Sequence, residues 1–477
     1  MTSDLISSLF SNIWSVVLLV LFFGGSIFIH ELGHFLAARR RGLHVERFSI
    51  GFGPKIVSWN RGGVEYRLSW LPFGGYVALP QLADMRGIEG ESPEVAALPP
   101  ISYADKMIVA VMGAVFNMLF AFALACVIWF IGQPTSAELQ TTQVGAVHSE
   151  LTLADGSKVP GPAFEAGIRP GDFVQAIDGK SVATWMELMQ TLYSGSGRAN
   201  DGSPQAVFSI QRGERRLELT VSPRLSGSES FRRVGIEPAD DLSVAQVGES
   251  TPAAAAGLRA GDRIVSIDGE PVFTITAFRA HLQANAERAI DVGVMRDDAN
   301  LMLSIQPRIE RDERTGRDVA RAGFVFTSGY MLIYPGPVQQ LKENIVMTFR
   351  ILGGLLHPRS DIGLSQMSGP PGIARAYLAF SENIRMILWF TILINVNLAI
   401  LNLMPIPVLD GGHMLFATIG KLRGRALPQS LIQGTQSIFV VLLFSLMIYV
   451  SFFDIRRWVR DATTDPATIE QTSPSNP

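Results

Sequence analysis

The 477-residue chain contains a single cysteine, Cys126, inside an apolar run. A disulfide framework is thereby excluded, and cysteine usage says nothing about redox compartment. Charge is scarce as well: 17% of residues are charged against 47% hydrophobic, a balance that leans toward a membrane protein. The net charge is −3 with no block of like charges, so the footprint of a nucleic-acid binder is missing. Residues 1–12 hold no Lys or Arg. The apolar stretch behind them lacks the basic region of a signal peptide and is expected to be a retained span.

What the chain does have is apolar length. Four segments suit the roughly 20 residues that cross a bilayer as helix: Ile13 to Ala38, Met107 to Ile131, Ile384 to Leu403 and Ser437 to Phe453, the last one short. Arg39, Arg40, Arg41, Arg47, Lys55, Arg61 and Arg67 follow the first, and Lys421, Arg423 and Arg425 lie between the third and fourth. By the positive-inside rule both loops are cytoplasmic, which places the N-terminus and the long insert between spans two and three outside. Arg456, Arg457 and Arg460, after the fourth span, disagree and are outweighed by the first loop.

The insert repeats itself. Gly161 to Val182 and Ser250 to Val272 share the order P-A-x-x-A-G-[IL]-R-x-G-D-x-[IV]-x-x-I-D-G. Each copy reads as a Gly turn, an alternating strand and an Asp-Gly turn, with a helical stretch after it. Both copies resemble PDZ domains of the permuted bacterial type, expected over residues 140–225 and 228–310. Such domains can add an extended peptide to a sheet edge and receive its terminal carboxylate on backbone amides. Val234, Gly235 and Ile236, within "RRVGIEP", are a candidate carboxylate loop for the second copy; occluded spacers are the alternative.

Ser26 to Arg40 reads "SIFIHELGHFLAARR". Ionisable groups inside an apolar span are expensive and mark a site by default. H-E-x-x-H on a helix sets His30 and His34 one turn apart on one face, where both can reach one zinc ion, with Glu31 beside them to accept a proton from water. Interfacial snorkelling fails on depth, because His30 lies ~13 Å along a helix from Arg39. A catalytic zinc wants a third protein ligand and an open position. His44, His148, His281 and His357 have no evident claim on that place. "LNLMPIPVLDGGH" (Leu401 to His413) offers Asp410 behind Pro405 and Pro407, which cannot continue a regular helix. Broken backbone at membrane depth is tolerated when buried in protein or lining a cavity. Asp410 as the N-cap of a short helix near Gly411 is the competing reading.

HELGH in the first span, Asn402 to Gly411 as N-x-x-P-x-P-x-L-D-G, and the two copies between spans two and three together resemble the site-2 protease family, in its bacterial regulator-of-sigma-E (RIP metalloprotease) branch. The resemblance covers about Ile13 to Phe453. It implies His30, His34 and Asp410 as Zn2+ ligands, Glu31 as catalytic acid/base, Asn402 beside substrate or oxyanion, and Asn397 in substrate handling. It also implies transmembrane substrates, anti-sigma-factor-like or signal-peptide-like and already trimmed by another protease, and a place in the bacterial inner membrane with the N-terminus and PDZ-like copies periplasmic. A transmembrane helix must unwind before its carbonyls can be attacked.

Four more features complete the expectation. Two strand-like runs flank Asn60, Arg61, Gly62 and Gly63 as a β-hairpin, which either dips into the membrane to hold unwound substrate or is an ordinary cytoplasmic hairpin. Pro337 to Leu356 suits an interfacial amphipathic helix that gates access or anchors the insert. Gly113 and Asn117 on the second span suggest helix packing, in a G-x-x-x-N pattern the resemblance places near the site. The C-terminal tail is polar and Pro-containing, the composition of a disordered segment. The expected fold is a polytopic α-helical membrane protein: first helix 1–40, hairpin loop 41–104, second helix 105–133, the two α/β copies, linker 311–380, third helix 381–404, PxPxLDG loop 405–430, fourth helix 431–454 and tail 455–477. The expected activity is intramembrane zinc endopeptidase. A non-catalytic membrane scaffold would leave Glu31 dispensable, and a metal transporter would spread polar groups along a path instead of clustering them at one depth.

Overall fold

The computed structural model describes residues 13–81, 98–99, 101–153, 156–226, 231–312, 316–425 and 427–463. The expected tail beyond 463 and the first twelve residues lie outside that range. The chain divides into two compact units: residues up to Gln133 with Ile333–Arg350 and Ser365–Thr463, and Pro134–Leu332 with Ile351–Leu364.

In the first unit, four helices among the described residues are long and apolar enough to cross a membrane. They are α1 (Ile13–Arg40), α2 (Tyr103–Ile131), α5 (Ile384–Asn402) and α7 (Gln429–Thr463), with α3 (Pro337–Leu356), α4 (Pro370–Ala379) and α6 (Asp410–Leu422) between them. The last span is not short: its helix begins eight residues before Ser437 and continues beyond Phe453. Small residues let the helices approach, as expected where lipid gives no hydrophobic drive for association. A side chain on Gly33 would run into the Met112 carbonyl of α2, and α2 meets α5 through Ala121, Ala125, Ile128, Leu388, Ile392 and Val396. Asn395, fully buried on α5, donates to Ser26 Oγ of α1 at 2.8 Å. By contrast α7 leaves Val441, Phe444, Ile448 and Phe452 more than half exposed, a face fit for lipid.

The hairpin is present as β1 (Arg47–Arg61) and β2 (Val64–Ala78) around a Gly62-Gly63 turn with φ of 59° and 80° at the two positions, the type that twists with its strands. Its register is doubled. Arg47–Ile50 pair with both 65–68 and 75–78, and 57–61 return to 64–68, so two strands make a four-stranded ribbon with 75–78 on one edge. Phe35 of α1 packs with Phe48 and Tyr66, which fixes the ribbon against the HExxH helix.

The amphipathic helix spans the expected residues, and Leu341 and Ile345 of its apolar face pack against α2 and α5, but a polar stripe is buried beside them. Gln340, Asn344 and Thr348 form the buried stripe, while Val338, Phe349 and Leu356 are more than half exposed. Gln340 Nε2 donates to the carbonyls of Ala125 and Pro335, and Thr348 Oγ1 to Asn397 Oδ1 at 2.5 Å. After it, Asp454 of α7 accepts from the Gly369 and Gly372 amides at the start of α4, and Arg457 bridges Asp454 to the carbonyls of Ser365 and Met367. Arg457, which had counted against the orientation, is thus bound up in holding α4.

In the second unit the repeat extends to single contacts. Each copy has a four-stranded sheet: Arg215–Val221, Ala206–Arg212, Phe173–Ile177, Lys180–Ser181 in one, and Glu270–Pro271, Arg263–Ile267, Ile290–Arg296, Ala299–Ile305 in the other. A helix (Trp185–Tyr193; Ile275–Ala284) covers each core. Asp172 and Asp262 each accept a backbone amide and an arginine, Arg212 or Arg296. Asp178 and Asp268, in the Asp-Gly turns, share a φ of 50°.

One assignment is overturned. "RRVGIEP" does not serve the second copy: Ile236–Pro238 pairs with Val144–Val147, and Val234 lies in the first copy's core at 2% exposure. Its counterpart in the second copy is Phe324–Phe326, paired with Val244–Val247. The expected boundaries at 225 and 310 therefore move outward to take in these closing strands. Asp361 joins this unit by accepting from Arg198 and from the fully buried Arg232.

Candidate metal centre

The helix period brings His30 and His34 together, their rings edge to face with centroids 4.8 Å apart. The third member arrives from far along the chain. Behind Asn402 the α5 helix ends; the chain turns through Pro405 and Pro407, and α6 starts at Asp410. The turn is tight enough that a side chain on Gly411 would meet the carbonyls of Leu403 and Met404, and one on Gly412 that of Ile406. Only glycine fits twice there. Leu409, not Asp410, caps α6, and Asp410 sits in its first turn with its carboxylate on the histidines. The N-cap reading of Asp410 therefore fails.

The three donor atoms form a near-equilateral triangle. His30 Nε2 lies 3.2 Å from Asp410 Oδ2, His34 Nε2 lies 3.4 Å from it, and the two nitrogens are 3.2 Å apart. In a tetrahedral site with bonds of about 2.0 to 2.1 Å, ligand atoms are about 3.3 to 3.4 Å from each other. The fit is one of chemistry too. His34 Nδ1–H donates to the Val109 carbonyl at 2.8 Å, which leaves Nε2 a bare acceptor. His30 Nδ1 faces the Asn117 amide at 3.2 Å, and Asn117 Oδ1 is buried without a partner when its nitrogen points that way. Turning the amide lets Oδ1 accept His30 Nδ1–H and satisfies both groups. Two imidazole lone pairs then converge with Asp410 Oδ2, itself buried without a hydrogen bond. Three electron-rich atoms at this spacing call for a cation.

The surroundings are shaped for those rings. A Cβ on Gly113 of α2 would lie 2.7 Å from the Cε1 atoms of both His30 and His34, so glycine makes the space they occupy. Packing was the expected role for Gly113 and Asn117; contact with the histidines is what the structure gives them. Asn402 Nδ2 is 3.4 Å from His30 Nε2, at the edge of the triangle. Asn397 is turned to Thr348 of α3 instead. Glu31 is half-buried, with Cγ close to Gly75 and its carboxylate toward the Val77 backbone at the ribbon edge. His148 and His281 pair with Glu237 and Asp268 in the second unit. The Val109 carbonyl was not readable as a site group, and Gly113 and Asn117 were readable only as a G-x-x-x-N pattern that the resemblance places near the site; both lie on the face of α2 that meets the histidines.

Comparison with known proteins gives a family and several relatives. The model of peptidase family M50 matches residues 18–446. A regulator of sigma E protease from Salmonella typhi is 31% identical over 473 residues, covering 94% of this chain and 99% of that protein. A Pasteurella multocida protein with zinc metalloprotease in its name is 28% identical, covering 94% and 100%. The PDZ domain of an SdrC-like protein from Listeria monocytogenes aligns at 24% identity over 18% of this chain and 88% of its own, with a TM-score of 0.16.

Proposed function

The chain belongs to peptidase family M50 and is a zinc metalloprotease, and we propose that His30, His34 and Asp410 hold its zinc while Glu31 moves the proton. The observation that carries this is the triangle of donor atoms with both Nε2 lone pairs turned inward. Zinc, when bound, supplies the Lewis acidity that makes water a nucleophile near neutral pH and polarises a peptide carbonyl. Glu31, next to a ligand on the same helix, takes a proton from the attacking water and returns it to the leaving amine nitrogen. Asn402 Nδ2 donates to the carbonyl oxygen as it gains charge. Asn397 acts on substrate through α3, whose Thr348 it holds.

The substrate is a single-pass transmembrane protein, anti-sigma-factor-like or signal-peptide-like, already cut once by another protease. The name of the Salmonella typhi relative supports a sigma-E regulatory setting. A helix cannot offer its carbonyl until it unwinds, and the ribbon edge 75–78 beside Glu31 is suited to take the unwound segment as an added strand. The enzyme lies in the inner membrane with its N-terminus and both PDZ-like copies periplasmic. Arg39, Arg40 and Arg41 at the end of α1 support that orientation.

The test is a metal assay beside a cleavage assay on purified, membrane-reconstituted protein. Glu31→Gln is expected to keep zinc and lose cleavage, whereas His34→Ala and Asp410→Ala lose both. Full activity in Glu31→Gln would sink the mechanism.

A further inference from the structure

Four fully buried polar side chains are linked in the apolar interior of the first unit and take no part in the zinc chemistry: Ser26 on α1, Tyr377 on α4, and Thr391 and Asn395 on α5. Such groups are expensive between membrane helices and mark a function by default. Thr391 Oγ1 donates to the Ile387 carbonyl at 2.7 Å, so the Tyr377 hydroxyl, 3.1 Å away, donates to it. Asn395 Nδ2 donates to both the Thr391 carbonyl and Ser26 Oγ at 2.8 Å, and Ser26 Oγ donates to the Phe22 carbonyl at 2.7 Å. The amide cannot be turned, because Oδ1 would then face the Thr391 carbonyl, which only accepts. As oriented, Asn395 Oδ1 is buried with no partner among the described residues. A leucine of similar volume would escape that cost, so the amide does more than hold two helices together.

Phe22, where this chain of bonds ends, stands inside a π-turn, Val20–Gly24, which interrupts α1 just before the HExxH segment. A π-turn holds one residue more than an α-helical turn, so all that follows is rotated by about 100° relative to an uninterrupted helix. Before the turn, Leu18 and Leu19 pack on Tyr377 and Ile387. After it come Ser26, His30 and His34, spaced four apart on one face. The π-turn thus decides which way the imidazoles point once α1 is seated on α4 and α5. The partner helix is built to match: Asn395 and Asn402, seven apart, share a face of α5, with Asn395 on Ser26 and Asn402 Nδ2 3.4 Å from His30 Nε2. The Ser26 layer lies one turn, about 6 Å, from the His30 layer. We infer, on the reading of His30, His34 and Asp410 as zinc ligands, that Asn395 acts through Ser26 and the Phe22 carbonyl to hold the π-turn. It thereby sets the rotation and depth at which His30, Glu31 and His34 meet Asp410. Ser26 and Asn395 are positioning residues for the metal centre.

Full-length protein carrying Ser26→Ala, Asn395→Leu or both is purified, stripped of metal and titrated with zinc, and the visible bands of its cobalt(II) form are recorded as a reporter of ligand geometry. Each single variant is expected to bind zinc about tenfold more weakly, the lower end of the usual loss when a group that orients a ligand is removed, and to show shifted cobalt bands. The double variant is expected to be no weaker than the worse single one, because both substitutions break one chain of bonds. Native affinity and bands in either single variant overturn the inference, even beside a lower melting temperature, since a bond that only holds the fold acts on stability alone. Additive losses in the double variant overturn it too. Should Asn395→Leu fail to fold, Ser26→Ala decides, because it places the best helix former in a helix and leaves the amide its bond to Thr391. His34→Ala is the control. Zinc retained there would overturn the metal-centre reading and this inference with it, whereas native affinity in Ser26→Ala beside zinc lost in His34→Ala overturns this inference alone.

Discussion

A methyl group on Gly113 would occupy the space of the two imidazole rings, and no flexible atom there can yield, because the groups in its way are the proposed zinc ligands themselves. Gly113→Ala is therefore expected to abolish zinc retention while α1 and α2 remain folded. Asn117→Ala removes only the partner of His30 Nδ1 and should weaken zinc by about 10- to 100-fold, the usual cost of losing a group that orients a ligand. Zinc titration of the two purified variants, with far-UV circular dichroism as the check on fold, separates these outcomes; native zinc affinity in Asn117→Ala would show that His30 is oriented by something else. Of the residues that matter here, His30, Glu31, His34 and Asp410 were legible, because their types are rare in apolar sequence and their spacing matches a known chemistry. Gly113 and Asn117 were legible only as a G-x-x-x-N pattern that the resemblance placed near the site, with packing their expected role, and the Val109 carbonyl was not legible at all. A small residue, an amide and a backbone oxygen carry no chemistry until a neighbouring helix supplies the atoms they touch.

At the level of elements, the ribbon edge and the closing strand of the first repeat make different demands. Gly75 lies so close to the neighbouring strand and to α1 that a Cβ would sit 2.9 Å from the Ser49 carbonyl of β1 and 3.1 Å from Glu31 Cγ of α1. Gly75→Val should push the edge away from Glu31, cutting cleavage strongly with zinc content unchanged; unchanged turnover would remove the edge from the substrate path. In the first repeat, His148 Nε2 and Glu237 join the paired strands at 2.9 Å. The hydrogen bond that His148 donates to Glu237 raises His148 above the ordinary imidazole value, and the same bond holds Glu237 below the ordinary carboxylate value. His148 contributes fully below its ordinary value and loses that contribution as pH rises through the raised one. Glu237 contributes fully above its ordinary value and loses it as pH falls through the lowered one. The link is therefore strongest between about pH 4.3 and 6.5 and fades on either side. Both groups are about half exposed, so the stabilisation is small and the readout is an NMR titration of His148. Its midpoint should fall back toward the ordinary value in Glu237→Gln, and an unmoved midpoint would break the assignment.

On the scale of the whole molecule, the two repeat copies are inserted in the chain between α2 and α3, and their proposed task is to screen the periplasmic part of a substrate by bulk. Deleting residues 134–332 is then expected to permit cleavage of an untrimmed substrate, while Gly235→Ala or Ile236→Ala alone has little effect on the trimmed one. The deletion strands Asp361 without Arg198 and Arg232, so it should carry Asp361→Asn to avoid an unpaired carboxylate. Cleavage of matched trimmed and untrimmed substrates, at equal zinc content, is the measurement. Rejection of the untrimmed form by the deletion variant, with normal cutting of the trimmed one, would place the filter elsewhere.

Linear order alone carries the local features: four apolar runs near spanning length, a repeated motif in the insert, and two histidines and a glutamate on one helix. Each depends on a period or a length, which linear order preserves. It also put Asp410 forward, because a carboxylate behind two prolines at membrane depth has few other uses. What depends on pairing at a distance came from the fold. It gave "RRVGIEP" to the first copy, since hydrogen bonding to Val144–Val147 selects its partner and nearness to the second copy does not. It turned the polar stripe of α3 inward, since Gln340 and Thr348 find partners on α2 and α5 while lipid accommodates Val338 and Phe349. And it closed the metal triangle, because the distance between Asp410 and His30 is set by how closely three helices approach, through Gly33, Gly113 and Gly411, and by nothing within any one of them.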